Sequence, residues 1–168
     1  AAVALLSSLF LWDSLAACRP ADPTPATMDD SGVYRQATSY DCGPAAAVTM
    51  LRTIGLPVDE SKIAALSLLR EGRGVTVLEL CRGLDLALQG TNRRAAIRRL
   101  DADSLAHCPT PFLAEVRRGP AREHCVVVLE VLPDAVVLGD PARGRYGCLR
   151  SEFAREWTGL AITAQPQP

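Results

Sequence analysis

The spacing of apolar residues changes once along the chain, and that change restricts the fold more than any other feature of the sequence. Three segments with apolar residues at helical spacing come first, at 42–55, 59–69 and 76–88. Apolar runs typical of strands follow at 111–116, 125–131 and 135–138. Helices followed by antiparallel strands predict an α+β fold, with the helices packed on one side of a small sheet.

The folded domain is predicted to span residues 32–163 and to begin with a short strand at 33–36. Of the 168 residues, 48% are hydrophobic but only 5% are aromatic, so the core must consist mainly of aliphatic side chains. Residues 19–31 are rich in proline and poor in apolar side chains, which is typical of an extended tether. Residues 164–168 are predicted to form a polar tail.

Residues 1–18 are predicted to be a signal or lipoprotein-type segment. Its apolar part, 1–12, is shorter than the ~20 residues that a membrane-spanning helix needs, and its length suits a signal peptide. The tetrapeptide Leu15-Ala16-Ala17-Cys18 resembles the lipobox of bacterial lipoproteins, in which the cysteine is lipidated. This interpretation predicts a lipid anchor at Cys18 and an exported, membrane-anchored or periplasmic domain. The alternatives are an ordinary N-terminal helix with a buried cysteine, and a location at the cytoplasmic face.

The net charge and the lack of clustered metal-ligating residues argue against nucleic-acid binding and against a metal site. A net charge of −1 gives no electrostatic reason to expect a nucleic-acid partner. The local basic cluster is predicted to be the solvated face of a helix or loop, with a phosphate-binding patch as the alternative. It consists of Arg93, Arg94, Arg98 and Arg99. With two histidines and no Cys-x-x-Cys pair, the sequence lacks the clustered ligands of a zinc site, and no metal or cofactor is expected.

Six cysteines need separate explanations, because their spacing fits no metal site. A disulfide framework requires an oxidising compartment, so any pairing depends on whether the domain is exported. The sequence does not assign partners among Cys81, Cys108, Cys125 and Cys148. The remaining two are Cys18, discussed above, and Cys42.

Cys42 is the candidate nucleophile. A cysteine attacks as the thiolate, and a helix N-terminus favours that form. Cys42 opens the first predicted helix and is followed by Gly43 and Pro44, a residue well tolerated in the first turn. The small Gly43 would let a substrate backbone approach closely. The alternative is a buried structural cysteine at a helix start.

Of the two histidines, His124 is the candidate general base. It stands directly before an apolar strand, and a strand edge holds a side chain rigidly, as a base requires. His107 is the alternative, in a predicted loop. Asp140 follows the next strand, so antiparallel pairing would bring it to the same sheet edge as His124, where it could orient the imidazole. A carboxylate that merely makes the Asp-Pro turn is the alternative for Asp140.

Gln36 lies six residues before Cys42 and is the candidate oxyanion donor. A side-chain amide there could donate a hydrogen bond to the oxyanion that forms when the thiolate attacks a carbonyl. A surface glutamine without a role in catalysis is the alternative.

These residues occur in motifs that resemble the bacteriocin-processing, double-glycine-leader cysteine peptidase family of the papain-like clan. The motifs are QATSYDCGP at 36–44, EHCVVVL at 123–129, GDPARG at 139–144 and the closing aromatic segment at 153–159. They appear in family order, and the resemblance covers residues 34–162. It implies a papain-like fold, with Cys42 as nucleophile, His124 as base, Asp140 as the orienting carboxylate and Gln36 as oxyanion donor.

The resemblance also implies a function and partners. The function would be cleavage of a peptide or protein substrate after a small-residue, Gly-Gly-like leader, through an acyl-enzyme. Domains of this family often occur in peptide-exporting ABC transporters, so a transporter or other export machinery is the expected partner. Two alternatives share the same fold: a domain that only docks its substrate, and an acyl transferase.

Overall fold

A computed structural model describes residues 26–119 and 123–167 of the chain. The helices of this part are α1 (Cys42–Thr53), α2 (Glu60–Leu66), α3 (Val77–Ala87) and α4 (Arg150–Glu156), with a 3-10 helix at Ser104–His107. The strands are β1 (Arg93–Arg99), β2 (Phe112–Arg117), β3 (Glu123–Val131), β4 (Ala135–Asp140), β5 (Gly144–Leu149) and β6 (Trp157–Pro166). The order is helices first and strands later, so the predicted α+β fold is confirmed.

All six described strands join one antiparallel sheet in the order β1-β6-β2-β3-β4-β5. The chain runs down β2, β3, β4 and β5 as consecutive neighbours, whereas β6 returns to pair between β1 and β2. The central strand β3 pairs with β2 on one side and β4 on the other, with Val116 opposite His124 and Val127 opposite Gly139. His124 near the start of β3 and Asp140 at the end of β4 therefore lie at the same end of these two neighbouring strands.

Helix α1 is buried along almost its whole length. Every residue from Gly43 to Leu51 is buried, including three consecutive alanines. A helix that is apolar on all sides belongs in an interior, and the small alanine side chains let neighbouring elements approach closely. Helix α1 packs on β3, with α2 and α3 beside it. This packing fixes the position of its first residue, Cys42, relative to the sheet.

The start of α3 is fixed by a capping box. The Thr76 hydroxyl accepts a hydrogen bond from the Glu79 backbone N–H at 3.2 Å, and the Glu79 carboxylate accepts one from the Thr76 N–H at 2.8 Å. This pair satisfies two N–H groups that a helix start leaves free. The third predicted helix, 76–88, agrees with α3 and its two flanking residues.

The sheet is covered on both faces. Side chains such as Leu113, Val127 and Ile162 pack against α1 and α3. The alternate residues pack into a second cluster with Phe153 of α4 and with Leu105 of the 3-10 helix. Phe153 stacks on Trp157, with ring centroids 5.5 Å apart. The prediction of helices on one side is therefore correct for α1–α3 but omitted the short helices on the other side.

Three local predictions differ from the structure. The segment 33–36 forms an isolated bridge between Tyr34 and Met28 and no regular strand. The arginine cluster lies on β1, an edge strand, and not on a helix or loop. The last strand β6 runs to Pro166, past the predicted domain end at 163, since its residues 160–166 pair with β1.

The predicted export signal, the lipid anchor at Cys18 and most of the tether lie outside the described residues, so these expectations stay predictions. Within residues 26–119 and 123–167, no helix is both long enough and apolar enough to cross a bilayer.

Candidate active site

Cys42 occupies the first position of α1, as the sequence predicted. The helix opens with a hydrogen bond from the Ala45 N–H to the Asp41 carbonyl at 3.1 Å. The buried Asp41 carboxylate accepts hydrogen bonds from the backbone N–H groups of Ala37 and Thr38, each at 3.1 Å. Asp41 therefore ties the loop before the helix to the helix start and holds the position of Cys42.

Gly43 is required by packing. A Cβ atom at this position would lie 2.6 Å from Cγ2 of Val75 and 3.3 Å from Cδ2 of Leu80. The glycine thus lets the start of α1 contact α3 and the segment that leads into it. This is a different reason from the one that the sequence indicated, which was access for a substrate backbone.

His124 and Asp140 are joined by a short hydrogen bond. His124 Nε2 lies 2.7 Å from Asp140 Oδ1, and the side chains are 11% and 0% exposed. Because Nε2 faces the carboxylate, Nδ1 is the ring nitrogen left for the Cys42 thiol, which contributes to the raised pKa of His124. The structure therefore brings together the three residues singled out as nucleophile, base and orienting group.

The surroundings of His124 favour the charged imidazolium. Burial lowers the pKa of His124, but hydrogen bonds to Asp140 and Cys42 and the negative charges of both groups outweigh burial and raise this pKa to about 9. Burial likewise acts to raise the pKa of Asp140, but its hydrogen bond to His124 and the positive charges of His124 and Arg118 hold that pKa below its ordinary value. The pair is arranged to hold an imidazolium beside a carboxylate at neutral pH.

The second oxygen of Asp140 has its own partner. Arg118 Nη2 donates a hydrogen bond to Asp140 Oδ2 at 2.7 Å and another to the Tyr146 hydroxyl at 2.8 Å. The backbone N–H of Ala142 donates to Oδ1 at 2.8 Å. A fully buried carboxylate needs such partners, because an unpaired buried charge is strongly unfavourable.

The loop before Cys42 is also tied to the loop after Asp140. Arg35 Nε donates to the Pro141 carbonyl at 3.0 Å, and the Gln36 backbone N–H donates to the same carbonyl at 3.1 Å. The Gln36 side-chain Nε2 donates to the Thr38 carbonyl at 2.6 Å, while its buried Oε1 has no partner among the residues that the structure describes. Neither Gln36 nor Asp140 lines the cleft, but Asp140 bonds His124. Among the described residues, the Gln36 amide bonds Thr38 and none of the other three predicted site residues.

A cleft of about 440 Å³ opens in front of Cys42 and His124. Most of its wall is apolar and comes from β2, β6, α3 and the segment before α3. Examples are Val75, Leu80, Leu113 and Ile162. Its charged lining residues are Arg73, Glu115 and Glu123. Its size and its mostly apolar walls with a few charged groups are typical of a ligand-binding cleft.

The other candidates lie elsewhere. His107, the alternative base, ends the 3-10 helix and lines a separate cavity with Cys108. None of the five cysteines in the described part forms a disulfide. Cys125 follows His124 on β3 and lines the same cleft as Cys42, and burial raises the pKa of its thiol.

Sequence reasoning missed three residues that support the site: Asp41, Arg118 and Tyr146. Asp41 had a usable signal, because an aspartate directly before a helix is a common start residue. Arg118 had none, since it is one of 18 basic residues and lies in a loop after β2. Its contact with Asp140 depends on how β2, β4 and β5 are placed in three dimensions.

Comparison with known proteins bears on the fold and the family of the chain. The sequence model of the peptidase C39 family matches residues 30–168. An uncharacterized protein of Methanothermobacter marburgensis is 33% identical over 138 residues, which cover 82% of this chain and 91% of that protein. The peptidase domain of Streptococcus ComA, a bi-functional ABC transporter of a quorum-sensing pathway, superposes with a TM-score of 0.68 at 25% identity, over 79% of this chain and 96% of that domain.

A third similar structure is a double glycine motif protease from an AMS/PCAT transporter in complex with the leader peptide. It shares the fold, with a TM-score of 0.69 at 20% identity, over 84% of this chain and 94% of that chain. The predicted papain-like fold and the resemblance to the bacteriocin-processing peptidases are confirmed by these matches. The chain belongs to the peptidase C39 family.

Proposed function

We propose that this chain is a cysteine endopeptidase in which Cys42 is the nucleophile, His124 the general acid and base, and Asp140 the orienting carboxylate. One observation carries the proposal: His124 bonds Asp140 through Nε2 at 2.7 Å, which leaves Nδ1 for Cys42, and both Cys42 and His124 line the same cleft. Family membership supports a peptidase in general. The roles of the individual residues are our proposal.

The first half of the reaction forms an acyl-enzyme. The Cys42 thiolate attacks the carbonyl carbon of the scissile peptide bond, and the carbonyl oxygen takes the negative charge. As the C–N bond breaks, the His124 imidazolium gives its proton to the departing amine. Asp140 keeps the ring oriented through Nε2 and stabilises its positive charge. The products of this half are a free amine and a thioester on Cys42.

The second half releases the acyl group. Neutral His124 takes a proton from water, and the resulting hydroxide attacks the thioester carbonyl. The Cys42 thiolate leaves, and the new C-terminal carboxylate departs. If an amine replaced water in this step, the same site would act as an acyl transferase.

Two donors are candidates for the oxyanion. The backbone N–H of Cys42 lies at the N-terminus of α1, where the first N–H groups of a helix lack intrahelical partners. Gln36 is the second candidate. Its amide nitrogen carries two N–H groups, and the Thr38 carbonyl occupies one of them. The second N–H would need to turn toward Cys42 when substrate binds.

The proposed substrate is a peptide or protein precursor with small residues directly before the cleaved bond. The fold shared with a double glycine motif protease that was solved with its leader peptide supports this class. The similarity to a domain of an ABC transporter supports a transporter or other export machinery as the partner.

The proposed location is the exported side of a bacterial membrane, with a lipid anchor at Cys18. The lipobox-like residues 15–18 motivate this part of the proposal. We expect the full chain to be recovered with membranes and a Cys18→Ser variant to lose that association. Equal recovery of both proteins in the soluble fraction would contradict the anchor and would leave the catalytic proposal unaffected.

The catalytic proposal is tested with synthetic peptides that contain a Gly-Gly pair, followed by mass spectrometry of the products. The wild-type protein should cut after the pair, and Cys42→Ala should not. Cys108→Ala is the matched control, because this half-buried cysteine lines the other cavity, and it should retain activity. Binding of the peptides by wild type without cleavage would instead support a docking domain. Preference for bulky residues before the cut would refute the substrate class.

A further inference from the structure

We infer that Arg118 is a positioning residue for the catalytic unit: it holds Oδ2 of Asp140 so that Oδ1 faces His124. This inference rests on the proposed function, because it gives Arg118 a role only through Asp140 and His124. It adds a fourth side chain to the unit, one that no motif of the sequence indicates.

The contacts of Asp140 divide between its two oxygens. Oδ1 accepts from His124 Nε2 at 2.7 Å and from the Ala142 N–H at 2.8 Å. Oδ2 accepts from Arg118 Nη2 at 2.7 Å. Within residues 26–119 and 123–167, Arg118 is the one side chain that bonds Oδ2. Each oxygen therefore has a charged donor, and the carboxylate plane is fixed by contacts at both ends.

Loss of the Oδ2 contact would free the carboxylate to rotate. The terminal torsion of an aspartate is broad, so packing and hydrogen bonds determine its orientation. A rotation that moves Oδ1 out of line with Nε2 weakens the bond that orients the imidazole. General acid–base catalysis depends on the alignment of the His124 ring, so small displacements of this ring reduce the rate.

Arg118 is itself held in place. Its Nη2 also donates to the Tyr146 hydroxyl at 2.8 Å, and Tyr146 lies on β5. The Arg143 guanidinium lies over the Tyr146 ring, 4.5 Å from the centroid. The Arg118 side chain is 25% exposed, whereas Asp140 is fully buried, so Arg118 enters the site from its solvent side. The positioning thus extends from the surface to His124.

A positioning role and a purely electrostatic role predict opposite results. The positive charge of Arg118 competes for Asp140, so removing that charge alone would favour the His124 imidazolium. Loss of orientation would instead disfavour the imidazolium, because its carboxylate partner moves away. Other titratable groups also face these two side chains. Tyr146 of β5 and Glu156 of α4 face Arg118. Cys42 of α1 and the cleft residues Glu115, Glu123 and Cys125 face His124.

The test compares Arg118→Gln with wild type and with Arg117→Gln, the neighbouring exposed arginine on β2, as control. We expect kcat to fall about tenfold to a hundredfold with KM changed less than about threefold. We also expect the high-pH limb of the rate profile, and the NMR titration of His124, to move to lower pH. Arg118→Lys, which keeps a donor and the charge, should recover most of kcat. Wild-type kcat in Arg118→Gln, or a titration of His124 that moves to higher pH, would overturn the inference.

Two further measurements keep the test decisive. If Arg118→Gln does not fold, Tyr146→Phe serves instead, because it removes the hydroxyl that anchors Arg118. This variant should also lower kcat and move the His124 titration to lower pH. Wild-type values of both in Tyr146→Phe would overturn the inference. Cleavage by Cys42→Ala would refute the proposed function, and the NMR titration would still test Arg118. An inactive Cys42→Ala beside an unchanged Arg118→Gln would refute the Arg118 inference alone.

Discussion

Replacing Asp140 by asparagine should lower the pKa of His124 far below its native value. The rise of this pKa from 6.5 to about 9 corresponds to about 3 kcal/mol of preference for the imidazolium, at ~1.4 kcal/mol per pH unit. Four interactions with Asp140 and Cys42 oppose the effect of burial, and Asp140 supplies two of them, its hydrogen bond and its charge. We therefore expect a fall on the order of two pH units, or about a hundredfold in the protonation equilibrium.

The geometry makes this substitution more damaging than the loss of one charge. Both Asp140 oxygens accept hydrogen bonds, from His124 and from Arg118. An asparagine has one acceptor oxygen, and its NH₂ group can only donate. Whichever way the amide turns, a donor will face either the His124 ring or the Arg118 guanidinium.

NMR titration of the histidine ring signals measures this pKa directly. The chain has two histidines, and the exposed His107 lies in another cavity, so its signal is an internal reference for both proteins. In Asp140→Asn, the His124 signal should titrate far below pH 9 while the His107 signal is the same as in wild type. A His124 pKa still near 9 in Asp140→Asn would show that Asp140 does not stabilise the imidazolium and would refute this reasoning.

Three further predictions concern the base, the pH profile and the packing of α1. His124→Ala should reduce cleavage nearly as much as Cys42→Ala, whereas His107→Ala should remain active; the reverse pattern in a peptide assay would identify His107 as the base. Because the pKa of His124 is raised, the imidazolium persists from neutral pH up to about 9, so kcat/KM should fall as pH rises through about 9 and not near 6.5. Gly43→Ala would place a Cβ 2.6 Å from Val75, so urea unfolding should show a loss of about 1–3 kcal/mol, whereas the control Gly147→Ala, with its nearest contact at 3.8 Å, should lose less.

The sequence predicted best those helices and strands in which the spacing of apolar residues matches the pattern of buried side chains. The helix beginning at Cys42 and the capped helix after Thr76 were found because apolar spacing and start signals coincide. Strand β3 was found because a run of valines forms its centre. Strand β1 was missed because four of its seven residues are arginines, a composition that an edge strand tolerates since one of its sides faces solvent.

The candidate site shows the same division. Cys42, His124 and Asp140 each stand at an end of a predictable element, so adjacency along the sheet was enough to propose that they meet. Arg118 contacts Asp140 across 22 positions of sequence from a loop with no pattern of its own. Such a contact follows from the placement of β2, β4 and β5 together, which no local signal encodes. The Gln36 role likewise stays a prediction, because its side chain bonds Thr38.

Stoichiometric alkylation with site mapping tests the central claim most directly, since it requires no knowledge of the physiological substrate. The protein is treated with one equivalent of iodoacetamide, the modified cysteine is identified by peptide mapping, and cleavage of a Gly-Gly peptide is followed in parallel. We predict that the label appears on Cys42 before the other four cysteines of the described part and that activity is lost in proportion to this label. His124→Ala should slow the labelling of Cys42 by at least about tenfold. Full cleavage by protein completely labelled at Cys42 would contradict the account.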